Sequence, residues 1–284
     1  MTAAAKEQTS SACFTAAAVQ LRSGLDVAEN VAVATELVRA AAAAGAQYVQ
    51  TPENTNLLEP NRARHLSLIG TPQDCAVKDQ FAALAQELGI WLHIGSMTFR
   101  MPTGKVANRA LIFSPDGVLA THYDKIHLYD VDLPNGESYR ESKLYQSGSE
   151  ARVIDLPWGR LGVTICYDVR FPGLYRALAG AGAQVLCVPA SFTKTTGAAH
   201  WHTLLRARAI ENGAFVIAAA QGGLHACERE TFGHSLIIDP WGTVLAEGDT
   251  EPGFVMAEID IARVAEVRGR VPSLRLNAAY GLAG

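Results

Sequence analysis

Apolar and polar positions along this chain switch between the strand period of 2 and the helical period of 3.6, predicting a strand-helix-strand order that occurs twice. Residues 14–21 (FTAAAVQL) read as an apolar strand, and Asp26 reads as the N-cap of an alanine-rich helix over 27–44 that Gly45 stops. A strand over 46–50 runs into Thr51-Pro52-Glu53-Asn54, where the proline cannot continue a hydrogen-bonded ladder. A second helix spans 74–88 and ends at Gly89. A strand over 90–99 follows, then a hairpin pairing 107–113 with 118–123 around Pro115-Asp116-Gly117. Its second strand ends at Asp124-Lys125-Ile126-His127.

Residues 127–150 carry neither period, and a polar loop of that length in a compact domain points to function. A strand over 152–156 leads to RLGVTICYDVRFP at 160–172, in which Leu161, Val163 and Ile165 alternate with Gly162 and Thr164 before the chain turns. A helix over 173–181 and a strand over 184–189 complete the second strand-helix-strand unit. A turn-rich segment at 193–199 precedes a helix over 200–211, whose Trp201, Leu204, Leu205 and Ala209 mark a buried face. Strands over 214–221, 233–238, 243–247 and 253–259 follow, and the tail after Pro272 has no period.

Composition narrows the function classes. With 284 residues of which 49% are hydrophobic, the chain has material for one large core, so a single domain over 13–284 is expected behind a flexible N-terminus at 1–12. A net charge of -4 and a pI near 6.1, with no block of like charges, exclude the electrostatic footprint of nucleic-acid binding. Small molecules are the expected partners. The five cysteines have neither disulfide-framework nor zinc spacing, and the N-terminus lacks signal- or transit-peptide character. No apolar run is long enough to span a bilayer. A cytoplasmic protein that contacts neither membrane nor nucleic acid is expected. His200 and His202, at i and i+2, do not share a helix face, which argues against zinc. Ser191 and Ser235 lack a nucleophile-elbow context, and Gly180-Ala181-Gly182 lacks the dinucleotide spacing.

What remains is Cys166. It ends an apolar strand and opens a turn toward a helix, a place where backbone N–H groups can hold developing negative charge. Most cysteines there are small apolar caps, but Tyr167, Asp168 and Arg170 make this neighbourhood polar. Glu53 and Lys125 fall at the C-terminal ends of two other strands, so one edge of a parallel or mixed sheet could gather all three. Singly, each charge reads as a solvated turn residue. Jointly they suit nucleophilic catalysis: a thiol that attacks a carbonyl, a carboxylate that takes its proton and an ammonium that steadies the anion formed. His127 would support the lysine loop.

TPEN around Glu53, YDKIHLYDVD around Lys125 and CYDVRFP around Cys166 together resemble the three signature blocks of the nitrilase superfamily of carbon-nitrogen hydrolases, and the match runs from about residue 14 to 272. Thr51 stands where many relatives carry phenylalanine. The resemblance implies an α/β fold, a four-layer α-β-β-α sandwich, with a Glu53-Lys125-Cys166 triad and neither metal nor organic cofactor. It further implies a second glutamate, matched by Glu141 in YRESKLYQSG, and a homodimer or larger homo-oligomer. The segment SFTKTTGAAHWHTLLRARAIENGAFVIAAAQGG is similar to the branch holding deaminated-glutathione amidases and ω-amidases. On that footing Cys166 attacks a small carboxylate-bearing amide, Glu53 passes a proton to the leaving group, and water hydrolyses a thioester. Lys125 and the Tyr167 N–H hold the oxyanion, Glu141 positions Lys125 or the leaving amine, Arg170 pairs with the substrate carboxylate, and Phe192, Thr195 and Thr196 line the pocket. Three alternatives stay open: an ω-amidase acting on α-ketoglutaramate, another enzyme of the superfamily such as an N-carbamoyl amidase or nitrilase, and a catalytically silent scaffold or binding protein.

Overall fold

In the computed structural model, which describes residues 13–134, 136–276, 278, 279 and 281, two sheets lie between two layers of helices. The expected flexible segment at 1–12 lies outside the described residues. In chain order the first half holds β1 (Cys13–Gln20), α1 (Val27–Ala43), β2 (Tyr48–Gln50), α2 (Arg62–Leu68), α3 (Ala76–Leu88), β3 (Trp91–Arg100), β4 (Val106–Phe113) and β5 (Leu119–Asp124). Next come β6 (Asp130–Asp132), β7 (Ser138–Arg140), β8 (Arg152–Asp155), β9 (Arg160–Val163), α4 (Pro172–Gly180), β10 (Val185–Cys187) and α5 (Lys194–Asn212). The chain continues through β11 (Phe215–Ala218), β12 (Gly222–Leu224), β13 (Glu230–Phe232), β14 (Leu236–Ile238), β15 (Val244–Glu247), β16 (Gly253–Asp260) and α6 (Ala262–Arg270).

The first sheet runs β16-β1-β2-β3-β4-β5 and the second β15-β14-β11-β10-β9-β8. Each has three parallel strands at its centre, β1-β2-β3 and β9-β10-β11, flanked by antiparallel ones. These parallel units are the two strand-helix-strand repeats read from the sequence. The inner faces share one core, in which Phe14, Ala16, Tyr48, Ile112 and Tyr123 of the first sheet meet Val163, Leu186 and Ile217 of the second. Trp201, Leu205 and Ala209 of α5 join that core from outside the second sheet, while Val31, Ala34 and Val38 of α1 and Phe81 and Leu84 of α3 cover the first sheet. Each large side chain so buried contributes roughly 1.5–3 kcal/mol.

Local signals explain most boundaries. The Asp26 carboxylate accepts from Ala28 N–H and Glu29 N–H at 2.8 and 3.0 Å, and Gly89 closes α3 in the left-handed conformation at φ 62°. Four differences stand out. Helix α5 starts at Lys194, six positions ahead of the expected 200, because the Thr193 hydroxyl accepts from Thr196 N–H and caps it. The 127–150 segment holds the β6-β7 hairpin and a 3-10 turn at Glu141–Lys143. Helices α2 and α6 are additional to the expected elements, and the strand expected over 214–221 stops at Ala218.

Candidate active site

Three turns deliver the candidate triad. Glu53 follows β2, Lys125 directly follows β5, and Cys166 opens a 3-10 turn (Cys166–Arg170) after β9. The expectation of a single sheet edge is corrected: β2 and β5 belong to the first sheet and β9 to the second, so the site forms where the two layers face each other. The side chains nevertheless converge, at 4% exposure for Glu53, 2% for Lys125 and 7% for Cys166.

Lys125 Nζ donates to Glu53 Oε1 at 2.9 Å and to both oxygens of Glu141, at 3.1 and 3.0 Å. The Cys166 thiol lines the same cavity wall as the Glu53 carboxylate, close enough for each to shift the other's pKa. The other Glu53 oxygen accepts the Ser191 N–H at 3.0 Å, and Asn108 Nδ2 donates to Glu53 Oε1 at 2.9 Å. Burial alone would raise the Glu53 carboxyl, but the Lys125 ammonium, its hydrogen bond and the neighbouring Cys166 thiol leave it below the usual glutamate range. Burial opposes the charge on Lys125, yet Glu141 and then Glu53 hold its pKa well above 10.5. The Cys166 thiol is pushed up by burial and then by the Glu53 charge. The resting site is therefore a neutral thiol facing a carboxylate and an ammonium.

The backbone around these groups is tightly constrained. Cys166 has φ 48°, in the left-handed region that non-glycine residues rarely adopt, and its N–H donates to Pro189 O at 2.9 Å. Asp168, fully buried, ties the lysine turn to the cysteine turn: its oxygens accept from Tyr123 OH (2.7 Å), Ile165 N–H (2.9 Å) and His127 N–H (3.0 Å). His127 Nδ1 lies 2.7 Å from the same carboxylate and its ring stacks on Phe171, so His127 supports the lysine loop as expected. Beneath Glu53, Thr51 Oγ1 accepts the Gly95 N–H at 3.1 Å and bonds Thr55 Oγ1 at 2.7 Å, which gives the threonine in the first signature block a structural role. Gly95 is required there: a Cβ would sit 2.1 Å from Thr51 O and 2.4 Å from Pro189 Cβ.

A cavity of about 870 Å³ opens over this floor. Its wall includes Glu53, Lys125, Glu141, Cys166, Tyr167, Arg170, Phe192 and Thr196. Thr195 is a correction: it is exposed and stands outside the wall, because Thr196 and the capping Thr193 face inward at the start of α5 while Thr195 is rotated about 100° away. Arg170 lines the cavity with Nη1 and Nη2 each 3.3 Å from His200 Nδ1 and its guanidinium over the Tyr167 and Phe192 rings. Sequence reasoning missed Asn108, Ser191, Tyr129, Tyr139 and Arg229. Tyr129 and Tyr139 stand inside the YDKIHLYDVD and YRESKLYQSG segments and Ser191 opens SFTKTTGAAHW, whereas no motif marks Arg229 or Asn108, the third residue of β4. His202 is not paired with His200. Its Nε2 and His234 Nδ1 share Glu247 Oε1 at 2.9 and 3.0 Å, on the far side of α5's first turns.

A buried carboxylate, ammonium and thiol on facing sheets of an α-β-β-α sandwich define a class of carbon-nitrogen hydrolases, and the chain belongs to that family: the carbon-nitrogen hydrolase model matches residues 15–269. It is an enzyme that hydrolyses carbon-nitrogen bonds other than peptide bonds. Among curated relatives it is 41% identical over 268 residues to the deaminated glutathione amidase of Synechocystis, covering 92% of this chain and 97% of that protein. It is 39% identical over 264 residues to the deaminated glutathione amidase of Yersinia enterocolitica, covering 92% of each. Among solved structures, the Caenorhabditis elegans NitFhit protein superposes with a TM-score of 0.89 at 36% identity, over 95% of this chain and 66% of that one. Saccharomyces cerevisiae Nit3, of the nitrilase superfamily, superposes with a TM-score of 0.82 at 29% identity, over 92% of this chain and 94% of that one.

Proposed function

We propose that the protein is a cysteine-dependent amidase whose substrate is deaminated glutathione, a γ-linked amide bearing an α-keto acid. The observation that carries the reading is the buried Cys166 thiol in one cavity wall with a Glu53 carboxylate that accepts from Lys125 Nζ at 2.9 Å. The Cys166 proton passes to Glu53 as sulfur attacks the γ-carbonyl carbon, and the carbonyl electron pair moves to oxygen. Lys125 Nζ and the Tyr167 N–H hold that oxyanion. Collapse expels the amine of cysteinylglycine, which takes the proton from Glu53, and leaves a thioester on Cys166. Water then gives a proton to Glu53 and attacks the thioester carbon, and the departing sulfur recovers the proton, releasing α-ketoglutarate. Glu141 positions Lys125, and Arg170, whose planar fork is free of carboxylate partners among the described residues, pairs with the α-keto-acid carboxylate.

The substrate assignment is supported by the names of the relatives, by identity near 40% over most of the chain, and by an 870 Å³ cavity roomy enough for a tripeptide-sized molecule. The reading includes a cytoplasmic, homodimeric or larger enzyme. No helix among the described residues is long and apolar enough to cross a membrane. Ile210 and Trp241 are both exposed, and the Ile210 side chain lies against Gly242, next to Trp241 in the chain, which supports an apolar contact with a second copy.

The test is mass spectrometry of enzyme quenched during turnover of deaminated glutathione, with α-ketoglutaramate as the competing small amide. The expected result is an α-ketoglutaryl adduct on the peptide holding Cys166, and none in Cys166→Ala. An adduct on another cysteine, with turnover surviving Cys166→Ala, refutes the mechanism. A higher kcat/KM for α-ketoglutaramate moves the substrate to that of an ω-amidase.

A further inference from the structure

We infer that Arg229 forms a second carboxylate subsite, for the carboxylate on the leaving-group side of the scissile amide, opposite the Arg170 subsite on the acyl side. The inference rests on the amidase reading above.

Two half-buried guanidinium groups line the cavity, and among the described residues neither is ion-paired to a carboxylate. Arg140, in the same wall, is held by both oxygens of Asp132 at 2.7 and 2.8 Å, and Arg62 is exposed at the mouth. Arg229 Nη2 donates to Ser191 O at 2.7 Å, while its Nε is buried with no acceptor. A half-buried guanidinium in the cavity wall with no carboxylate partner among the described residues leaves its charge for an anionic ligand to meet. A carboxylate satisfies both the charge and the fork geometry.

Placement assigns the two ends. A row of tyrosines, Tyr139-Tyr129-Tyr167, runs along the wall with ring centroids 5.2 and 5.0 Å apart. Arg229 lies over Tyr139 at 5.5 Å and Arg170 over Tyr167 at 5.9 Å, so a guanidinium stands at each end of the row. Each guanidinium is tied to a different reacting group: Arg170 is on the 3-10 turn that Cys166 opens, whereas Arg229 is bonded to Ser191, whose N–H donates to Glu53. Glu53 delivers the proton to the departing amine, so the leaving group extends toward the Glu53 side and its terminal carboxylate meets Arg229. The acyl group, bonded to sulfur, extends toward Arg170. The site is thus built for an amide with a carboxylate on each side of the scissile bond.

The experiment measures kcat/KM of the full-length enzyme for deaminated glutathione, for its C-terminal glycinamide and for α-ketoglutaramate, in wild type, Arg229→Gln and Arg229→Lys. Wild type is expected to prefer the acid over the glycinamide by at least ~10-fold, the scale of one charge-assisted pair. Arg229→Gln is expected to shrink that ratio to about threefold or less, and Arg229→Lys to fall between, since the charge stays and the fork is lost. A merely structural role would lower all three substrates together and leave the ratio unmoved, which overturns the subsite. Equal use of acid and glycinamide by wild type overturns it without any variant, and leaves the amidase reading intact. Cleavage of α-ketoglutaramate with neither longer substrate cleaved overturns the substrate reading itself, and the subsite with it.

Discussion

Replacing Glu141 by glutamine keeps its shape and removes its charge, and the structure sets the size of the effect. Lys125 Nζ donates to both Glu141 oxygens at 3.1 and 3.0 Å, and the Tyr129 N–H donates to Oε2 at 2.6 Å. Every Glu141 oxygen therefore faces a donor, and the amide NH2 of a glutamine must point at one of them. At least one charge-assisted hydrogen bond is lost, about 1.5–3 kcal/mol. A second effect acts in the same direction. Glu53, Lys125 and Glu141 together carry one net negative charge; without Glu141 the ammonium pairs with Glu53 alone and makes it a weaker base toward Cys166. Together these lower kcat/KM by ~100- to 1000-fold, the range of a lost acid-base or oxyanion group. The assay pairs steady-state turnover with the rate of Cys166 alkylation by iodoacetamide, in protein whose circular dichroism matches wild type. Alkylation needs the thiolate but no oxyanion site, so it isolates the weakened base. Near-wild-type turnover refutes the positioning role, and a large loss of turnover with unchanged alkylation refutes the weakened base.

Two further outcomes follow from the geometry. Because Glu53 must be ionised to accept the thiol proton and is held below its ordinary value of 4.5, the acid limb of the kcat/KM profile should lie below pH 4.5; a limb near pH 6 contradicts this. For stability the signs oppose: the depressed Glu53 contributes stability present above pH 4.5 and lost as pH falls through its folded value, whereas the raised Lys125 contributes stability present below pH 10.5 and lost above it, which denaturant titrations across pH would show. Gly95→Ala places a methyl 2.1 Å from Thr51 O, so it should cost about 1–3 kcal/mol in urea unfolding and reduce kcat by shifting the Glu53 turn; an unchanged urea midpoint and kcat would refute that reading.

Much of this molecule was legible because its parallel strands are short and apolar and stop abruptly at polar turns. Pro52 marks the end of β2, and the alternation of Leu161, Val163 and Ile165 points Cys166 past the end of β9. What the period could not carry is which sheet a strand joins, since β2 and β9 have the same pattern and pair in different layers. The start of α5 was missed because Lys194, Thr195 and Gly197 read as turn residues, while the helix there is set by the Thr193 cap and by Gly197 fitting against Phe232. Thr195 fell outside the wall for the same reason: only a helix starting at 194 turns it away. Asn108 lies in β4, in a run that reads as an ordinary strand, and its amide meets Glu53 only because β3 sets β4 two strands from β2 within the first sheet. Arg229 follows a turn with no period at all, and nothing short of the tertiary structure connects it to Ser191.

The two-layer origin of the site explains why its strain and buried charge persist. Cys166 at φ 48° and Asn54 at φ 59° cost roughly 1–3 kcal/mol each in the abstract, and neither is a glycine. Each is held by a bond that its own sequence neighbours do not supply: Cys166 N–H by Pro189 O, Asn54 N–H by Ser96 Oγ, and the Glu53 and Asn54 carbonyls by Gln221 Nε2 at 3.0 and 3.2 Å. The two from Gln221 cross from one sheet to the other. The Glu53 carboxylate likewise takes one donor from its own layer, Asn108, and one from the opposite layer, Ser191. An isolated first sheet would leave Glu53 without its Ser191 donor and its thiol, and an isolated second sheet would leave Cys166 with no base. Docking of the sheets, driven by the apolar faces of both, is therefore the step that creates a chargeable nucleophile, and the free energy of that core is what holds a carboxylate, an ammonium and a thiol out of water in one site.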